Sequence, residues 1–284
     1  MTATVSSTID SPLGPRTATV AYERQGAGEP LLLLHGIGHH LQAWHPVTDI
    51  LAAQYDVIAV DLPGFGASEP LPEGVPYDLD TVAPALGALC AALGVERPHV
   101  AGNSLGGLLA LEMGRIGLAR SVTALSPAGF WTEGERRYAF ATLLAMRAGA
   151  RALPRPLLDR LSQAPAGRAA LTGTIYARPA RRSPDAVVAE TLALRDATGF
   201  EKTLAAGGSV RFTADVPGLP VTIAWGTRDR LLPRRQGVRA KHTLPGARLV
   251  RLPGCGHVPM GDDPALVARV VLDTARGAVA PAAA

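Results

Sequence analysis

The sequence predicts an α/β fold: a mostly parallel sheet with helices on both faces, interrupted once by a helical insertion. Three observations carry this. Short apolar runs alternate with amphipathic stretches through residues 17–127, and strands alternating with helices imply βαβ units with right-handed crossovers. The alternation stops from about Phe130 to Ala214, where helical signals stand almost alone. It resumes from residue 219 to residue 276.

Each element has its own signal. TATVAYERQG (17–26) alternates in polarity and ends in a turn, so it reads as a strand. PLLLLH (30–35), closed by Gly36, is a short apolar run of the kind buried on both faces. LQAWHPVTDILAA (41–53) is helical with a late start set by Pro46. YDVIAVD (55–61) is a second buried strand, followed by the loop LPGFGASEP. DLDTVAPALGALCAALG (78–94) is an amphipathic helix, PHVAG (98–102) a strand, SLGGLLALEMGRIG (104–117) a helix and RSVTALSP (120–127) a strand. In the insertion, stretches rich in Arg, Ala and Leu are broken by Pro154, Pro156, Pro165, Pro179 and Pro184. LPVTIAWG (219–226) and ARLVRLPG (247–254) then read as strands, with PRRQGVRAKH (233–242) and DPALVARVVLDTAR (263–276) as helices. The chain divides into a first core segment (1–130), a helical insertion (131–214) and a second core segment (215–284). The end, AVAPAAA, is expected to fray.

Composition narrows the function classes. With 284 residues, 47% hydrophobic and 18% charged, the chain can bury a sizeable core as a soluble globule. Residues 131–214 hold 13 Lys+Arg against 7 Asp+Glu, a net +6 beside −2 for the rest. These arginines read as helix-solvating charge. No basic run is interleaved with aromatics, so a nucleic-acid surface is not expected. Cys90 sits in an apolar helical pattern and Cys255 in a Gly-rich turn, with no disulfide framework or zinc spacing. The start, MTATVSSTIDSPLGPR, lacks the basic and apolar regions of a secretory signal. No window approaches the ~20 apolar residues of a membrane span, so a cytoplasmic protein is expected.

The chemistry is carried by Gly102-Asn103-Ser104-Leu105-Gly106, a G-x-S-x-G match between a buried strand and a helix. Small residues must flank the serine because the turn is so sharp that side chains would collide. The hydroxyl then stands at a helix N-terminus, which favours developing negative charge. A serine also needs a base, and the base an orienting acid. Both follow in the chain: Asp229 in Thr227-Arg228-Asp229 and His257 in Gly254-Cys255-Gly256-His257, each after a strand. That edge is where open α/β sheets place their sites. His257 is read as general base and then acid, and Asp229 as its orienter. Backbone N–H groups of Leu105, after the nucleophile, and Ile37, in His35-Gly36-Ile37-Gly38, are the candidate oxyanion donors.

HGIG, GNSLGG, GTRD and GCGH, together with DLPGFGAS at 61–68, resemble the α/β-hydrolase fold superfamily. The similarity covers roughly residues 17–130 and 215–276, leaving 131–214 as the cap such enzymes commonly insert after the sixth strand. The resemblance implies an eight-stranded, mostly parallel sheet and a cofactor-free Ser-His-Asp site beneath a lid. Serine at 104 argues against the superfamily's haloalkane dehalogenases and epoxide hydrolases, whose nucleophile is aspartate. GNSLGG is close to the elbow of the C–C bond hydrolases. Those tend to carry tryptophan after the catalytic histidine, where this chain has Val258. No acidic cluster in the cap suits a proline iminopeptidase.

Other residues receive structural readings. Asp263-Pro264 suits the N-cap and first position of the last helix. Asp61 and His35 read as loop-bracing groups. His39, His40 and His45 lie in a segment broken by glycine, with no completing Cys, Asp or Glu, so no metal is expected. Gly36, Gly38, His39, Asn103, Phe130, Trp131 and Val258 are the candidate pocket residues. The reading is a serine hydrolase acting on a small acyl substrate, a carboxylic ester, without cofactor. C–C bond and thioester hydrolysis are alternatives within the class, and a slow or non-catalytic ligand receptor is the alternative outside it. Oligomeric state is left open.

Overall fold

The structure, a computed structural model, describes residues 1–11, 14–216 and 218–279. The run Pro30–Leu34 forms a strand whose leucines divide between two cores. Leu32 and Leu34 join Ile58, Val100 and Val122 on one face, while Leu31 and Leu33 join Val57, Ala101 and Ala224 on the other. A parallel strand buried on both faces needs such an unbroken apolar run.

The sheet has eight strands: β1 (Ala3–Ile9), β2 (Arg16–Gln25), β3 (Pro30–Leu34), β4 (Asp56–Val60), β5 (His99–Asn103), β6 (Ser121–Leu125), β7 (Val221–Gly226) and β8 (Arg248–Leu252). Their spatial order is β1-β2-β4-β3-β5-β6-β7-β8. β2 runs antiparallel to β1 and β4, and every other neighbouring pair is parallel. β1 carries no signal in the sequence reading. It is an edge strand whose Ser/Thr-rich residues are mostly exposed, so it shows little apolar alternation.

One face is covered by α2 (Leu79–Ala92), α3 (Leu105–Arg115) and α9 (Arg235–Thr243). The other is covered by α1 (His45–Ala52) and α10 (Pro264–Val279). Pro46 occupies the first turn of α1, where its missing N–H costs nothing. Between β6 and β7 lie α4 (Glu133–Ala152), α5 (Arg155–Gln163), α6 (Pro165–Thr172), α7 (Pro184–Asp196) and α8 (Phe200–Ala206). α4 opens on a capping box: Thr132 accepts from the Glu135 N–H, and Glu135 accepts from the Thr132 N–H. The expected fraying tail, 278–284, falls largely outside the described residues; α10 extends to Val279. No helix among the described residues is long and apolar enough to cross a membrane.

Candidate active site

Strand order reverses at β3, whose neighbours β4 and β5 lie on opposite sides. The crevice at the carboxyl ends of strands beside such a reversal is where open α/β sheets bind ligands. The loop after β3 and the turn after β5 meet there.

Ser104 stands between β5 and α3 with φ 56° and ψ −113°. A non-glycine residue held at positive φ costs on the order of 1–3 kcal/mol and needs surroundings that enforce it. Here the enforcement is hydrogen bonding and glycine. The Ser104 N–H donates to the Leu125 carbonyl at 2.9 Å, and the Ser104 carbonyl accepts from Leu108 and Ala128. A Cβ at Gly102 would lie 2.0 Å from the Gly106 oxygen, and one at Gly106 would lie 2.2 Å from the Leu34 oxygen. Both glycines are therefore required by backbone contact. Leu105 opens α3, so its N–H is one of the orphan donors of a helix start.

His257 and Asp229 are brought together from the loops after β8 and β7. His257 Nδ1 lies 2.8 Å from Asp229 Oδ2. The Asp229 side chain is fully buried and that of His257 is 4% exposed. The other Asp229 oxygen accepts from the N–H groups of Leu231 and Leu232 at 2.9 and 2.8 Å. With Nδ1–H donated to the carboxylate, Nε2 carries the lone pair that can take a proton.

Ser104 and His257 share the wall of a cavity of about 580 Å³, which Gly36, Ile37, Gly38, His39, Asn103 and Val258 also line. Most of its remaining wall comes from α4–α7 and the links between them, including Met146, Leu161, Glu190 and Leu194, and Leu231 joins it from the loop after β7. A sequence profile described as the alpha/beta hydrolase family matches residues 31–270, the span that contains all of these groups. The chain belongs to the alpha/beta hydrolase family. It is accordingly a hydrolase. An uncharacterized protein of Mycobacterium tuberculosis is 30% identical over 261 residues, covering 86% of this chain and 74% of that one. A 2-hydroxy-6-oxononadienedioate/2-hydroxy-6-oxononatrienedioate hydrolase of Dechloromonas aromatica is 28% identical over 268 residues, covering 89% of each. Among solved structures, a thermophilic esterase from Thermogutta terrifontis superposes with a TM-score of 0.75 at 19% identity, covering 97% of this chain and 99% of that one, a likeness of fold.

Within that family frame, Asn103 has a structural account the sequence did not supply. Its Nδ2 donates to the His257 carbonyl at 2.8 Å and to the Leu125 carbonyl at 3.1 Å. One amide thus joins the serine turn to the backbone of the histidine. Asp262 makes a comparable junction. Its carboxylate accepts from the N–H of Gly256 at 2.7 Å, of Ala177 at 2.9 Å and of Arg178 at 2.8 Å. That fastens the histidine loop to the chain between α6 and α7. Asp263 receives the Leu266 N–H as the cap of α10.

His35 is wholly buried, with Nδ1 donating to the Gly36 carbonyl at 2.7 Å and Nε2 accepting from the Leu62 N–H at 2.9 Å. Burial pulls its pKa down from 6.5 to about 4. Asp61 accepts from the N–H groups of Leu41 and Ala67. The three neighbouring histidines diverge. His45 meets Glu23 at 2.7 Å, His40 meets Gln42, and His39 stacks on His40 beside the cavity. Burial, then the neighbouring His40, keeps His39 well below its ordinary pKa and so neutral. Phe130 lines neither this cavity nor the smaller one beside it; its ring packs on Phe212 in the core, and its carbonyl accepts from Arg239. Trp131 lines that smaller cavity, oriented by its Nε1–H bond to the Val210 carbonyl. Glu190 was missed by sequence reasoning. It joins the large cavity's wall with its carboxylate bonded by Tyr176 and Arg182, and no local pattern marks it. Burial of this carboxyl raises its pKa.

Proposed function

We propose that the protein cleaves a carboxylic ester by way of an acyl-enzyme on Ser104, with α4–α8 acting as a cap over the site. The observation that carries the reading is the His257–Asp229 bond of 2.8 Å, with His257 on the wall of the cavity that Ser104 also lines. Asp229 has both oxygens occupied by donors, so it fixes the imidazole tautomer in which Nε2 is the base. His257 takes the Ser104 proton as Oγ attacks the carbonyl carbon. The N–H groups of Ile37 and Leu105 hold the oxyanion. The imidazolium then gives its proton to the leaving alkoxide as the C–O bond breaks. Water repeats the cycle and releases the acid. Every group is supplied by the chain, and the substrate is a small molecule.

The test is turnover of short-chain p-nitrophenyl esters by the protein and by Ser104→Ala. The variant is expected to fold and to lose activity; retained activity would refute the nucleophile assignment. A second reading, hydrolysis of a C–C bond, is supported by the GNSLGG turn and by the name of the Dechloromonas relative. Val258 stands where tryptophan follows the catalytic histidine in the enzymes that the turn resembles. A screen pairing simple esters with vinylogous diketones separates the two, with esters expected to be the faster substrates.

A further inference from the structure

Among the described residues, Ser104 lines two cavities. The large cavity of about 580 Å³ has a neighbour of about 50 Å³, and Ile37, Ser104, Leu143 and Leu231 line both. The reacting carbonyl must therefore sit at their junction, with one side of the ester in each. Which side goes where follows from His257. The proton for the leaving group comes from its Nε2, so the leaving oxygen must lie beside His257. His257 lines the large cavity and is absent from the lining of the small one.

We infer that the small cavity takes the acyl group and the large cavity the alcohol, so that the substrates are esters of short apolar acids with bulky alcohols. The inference rests on the ester-hydrolase reading and sharpens it. In the first step the Ser104 Oγ–carbonyl bond forms, the carbonyl–alkoxy bond breaks, and the alcohol departs into the large cavity with the proton from His257. The acyl group stays on Ser104 within the small cavity until water releases it as the acid.

The small cavity is suited to hydrocarbon. Leu108, Ala128, Trp131, Phe140, Leu204 and Val210 line it, and Thr203 supplies its one side-chain hydroxyl besides Ser104. At about 50 Å³ it has less than a tenth of the large cavity's room. Such a space suits a short acyl chain. Expansion is resisted because Leu108 and Leu204 belong to the close-packed core against the sheet. The large cavity has more than ten times the room, and His39 and Glu190 place polar side chains on its wall.

The decisive experiment uses two isomeric alkyl esters, naphthylmethyl acetate and methyl naphthylacetate, which differ only in which side carries the ring. Naphthylmethyl acetate is expected to have the higher kcat/KM by about tenfold or more, the discrimination hydrophobic pockets commonly give. On p-nitrophenyl esters, kcat/KM is expected to rise by up to about fourfold per methylene from acetate to butyrate and to fall steeply by octanoate. Leu204→Ala, which enlarges only the small cavity, should move the optimum to longer acyl chains. Should that variant not fold, the isomer pair on the unaltered protein still decides. Equal or faster cleavage of methyl naphthylacetate, or a profile flat to decanoate, overturns the assignment and leaves the ester reading standing. No turnover of any ester removes both together.

Discussion

Replacing Asn103 tests whether the serine turn and the histidine loop act as one unit. Its Nδ2 supplies the His257 carbonyl and the Leu125 carbonyl, and the residue is 1% exposed. In Asn103→Ala, the Leu125 carbonyl keeps the Ser104 N–H at 2.9 Å and stays satisfied. The His257 carbonyl loses its donor. A buried group left in that state costs about 1–3 kcal/mol. At roughly 2–4 °C per kcal/mol for a chain of this size, Tm should fall by roughly 2–12 °C. The histidine backbone then has one fewer tie to the turn that carries Ser104, and a misplacement of about 1 Å costs on the order of 100-fold in rate. Asn103→Asp is the sharper probe. It keeps the shape, loses both donors and sets a carboxylate against two carbonyl oxygens, so it should be worse than alanine in both Tm and kcat. Thermal unfolding and steady-state kinetics on a p-nitrophenyl ester read both effects, with the loss carried by kcat. An Asn103→Asp protein with unaltered Tm and kcat would refute the reasoning, and a loss in Tm alone would reduce Asn103 to a structural role.

Other consequences are equally direct. Because the folded pKa of His35 is about 4 against 6.5 unfolded, its contribution to stability is complete above pH 6.5 and declines as pH drops toward 4. The loss is about 3 kcal/mol; ring NMR should show His35 neutral at pH 5.5, and titration near 6.5 would contradict its burial. Asp262→Ala removes the acceptor of three backbone N–H groups. Faster hydrogen exchange at Gly256, Ala177 and Arg178, together with reduced turnover, is expected, and unaltered exchange would count against the junction. Gly106→Ala forces a Cβ to within 2.2 Å of the Leu34 carbonyl oxygen, so it should yield unfolded or inactive protein; a soluble, active variant would contradict the turn geometry. Arg147 is 3% exposed and binds the Leu194 and Ala197 carbonyls and Glu201. Arg147→Met should destabilise the α4–α8 segment by about 2–4 kcal/mol in denaturant titration, because buried acceptors lose a charged donor.

The legible parts of this chain are those whose signal is local. Leu31 to Leu34 announce a strand buried on both faces because each face needs its own leucines. Gly102 and Gly106 announce the turn because no other residue fits against backbone at 2.0 and 2.2 Å. Ser104, Asp229 and His257 could be ordered because each follows an apolar strand run. β1 escaped notice because an exposed edge strand need not alternate. Thr132 and Glu135 did spell a capping box, a sign that was available for the start of α4. The partners of Asn103 could not be read, since its carbonyl acceptor at His257 is 154 residues away. The cavity wall was hidden for the same reason: Met146, Leu161, Glu190 and Leu194 come from three helices and carry no shared pattern. Phe130 was expected at the pocket from its position at the entry to the insertion. The ring instead turns to Phe212 and the core.

The proposed chemistry passes through a covalent intermediate at Ser104. Mass spectrometry of the protein quenched during turnover of p-nitrophenyl acetate tests this most directly. One acetyl group is predicted on the peptide containing Ser104, formed in a burst that matches the first release of p-nitrophenol and absent from Ser104→Ala. Turnover without an adduct, or an adduct on another residue with Ser104→Ala still active, would contradict it.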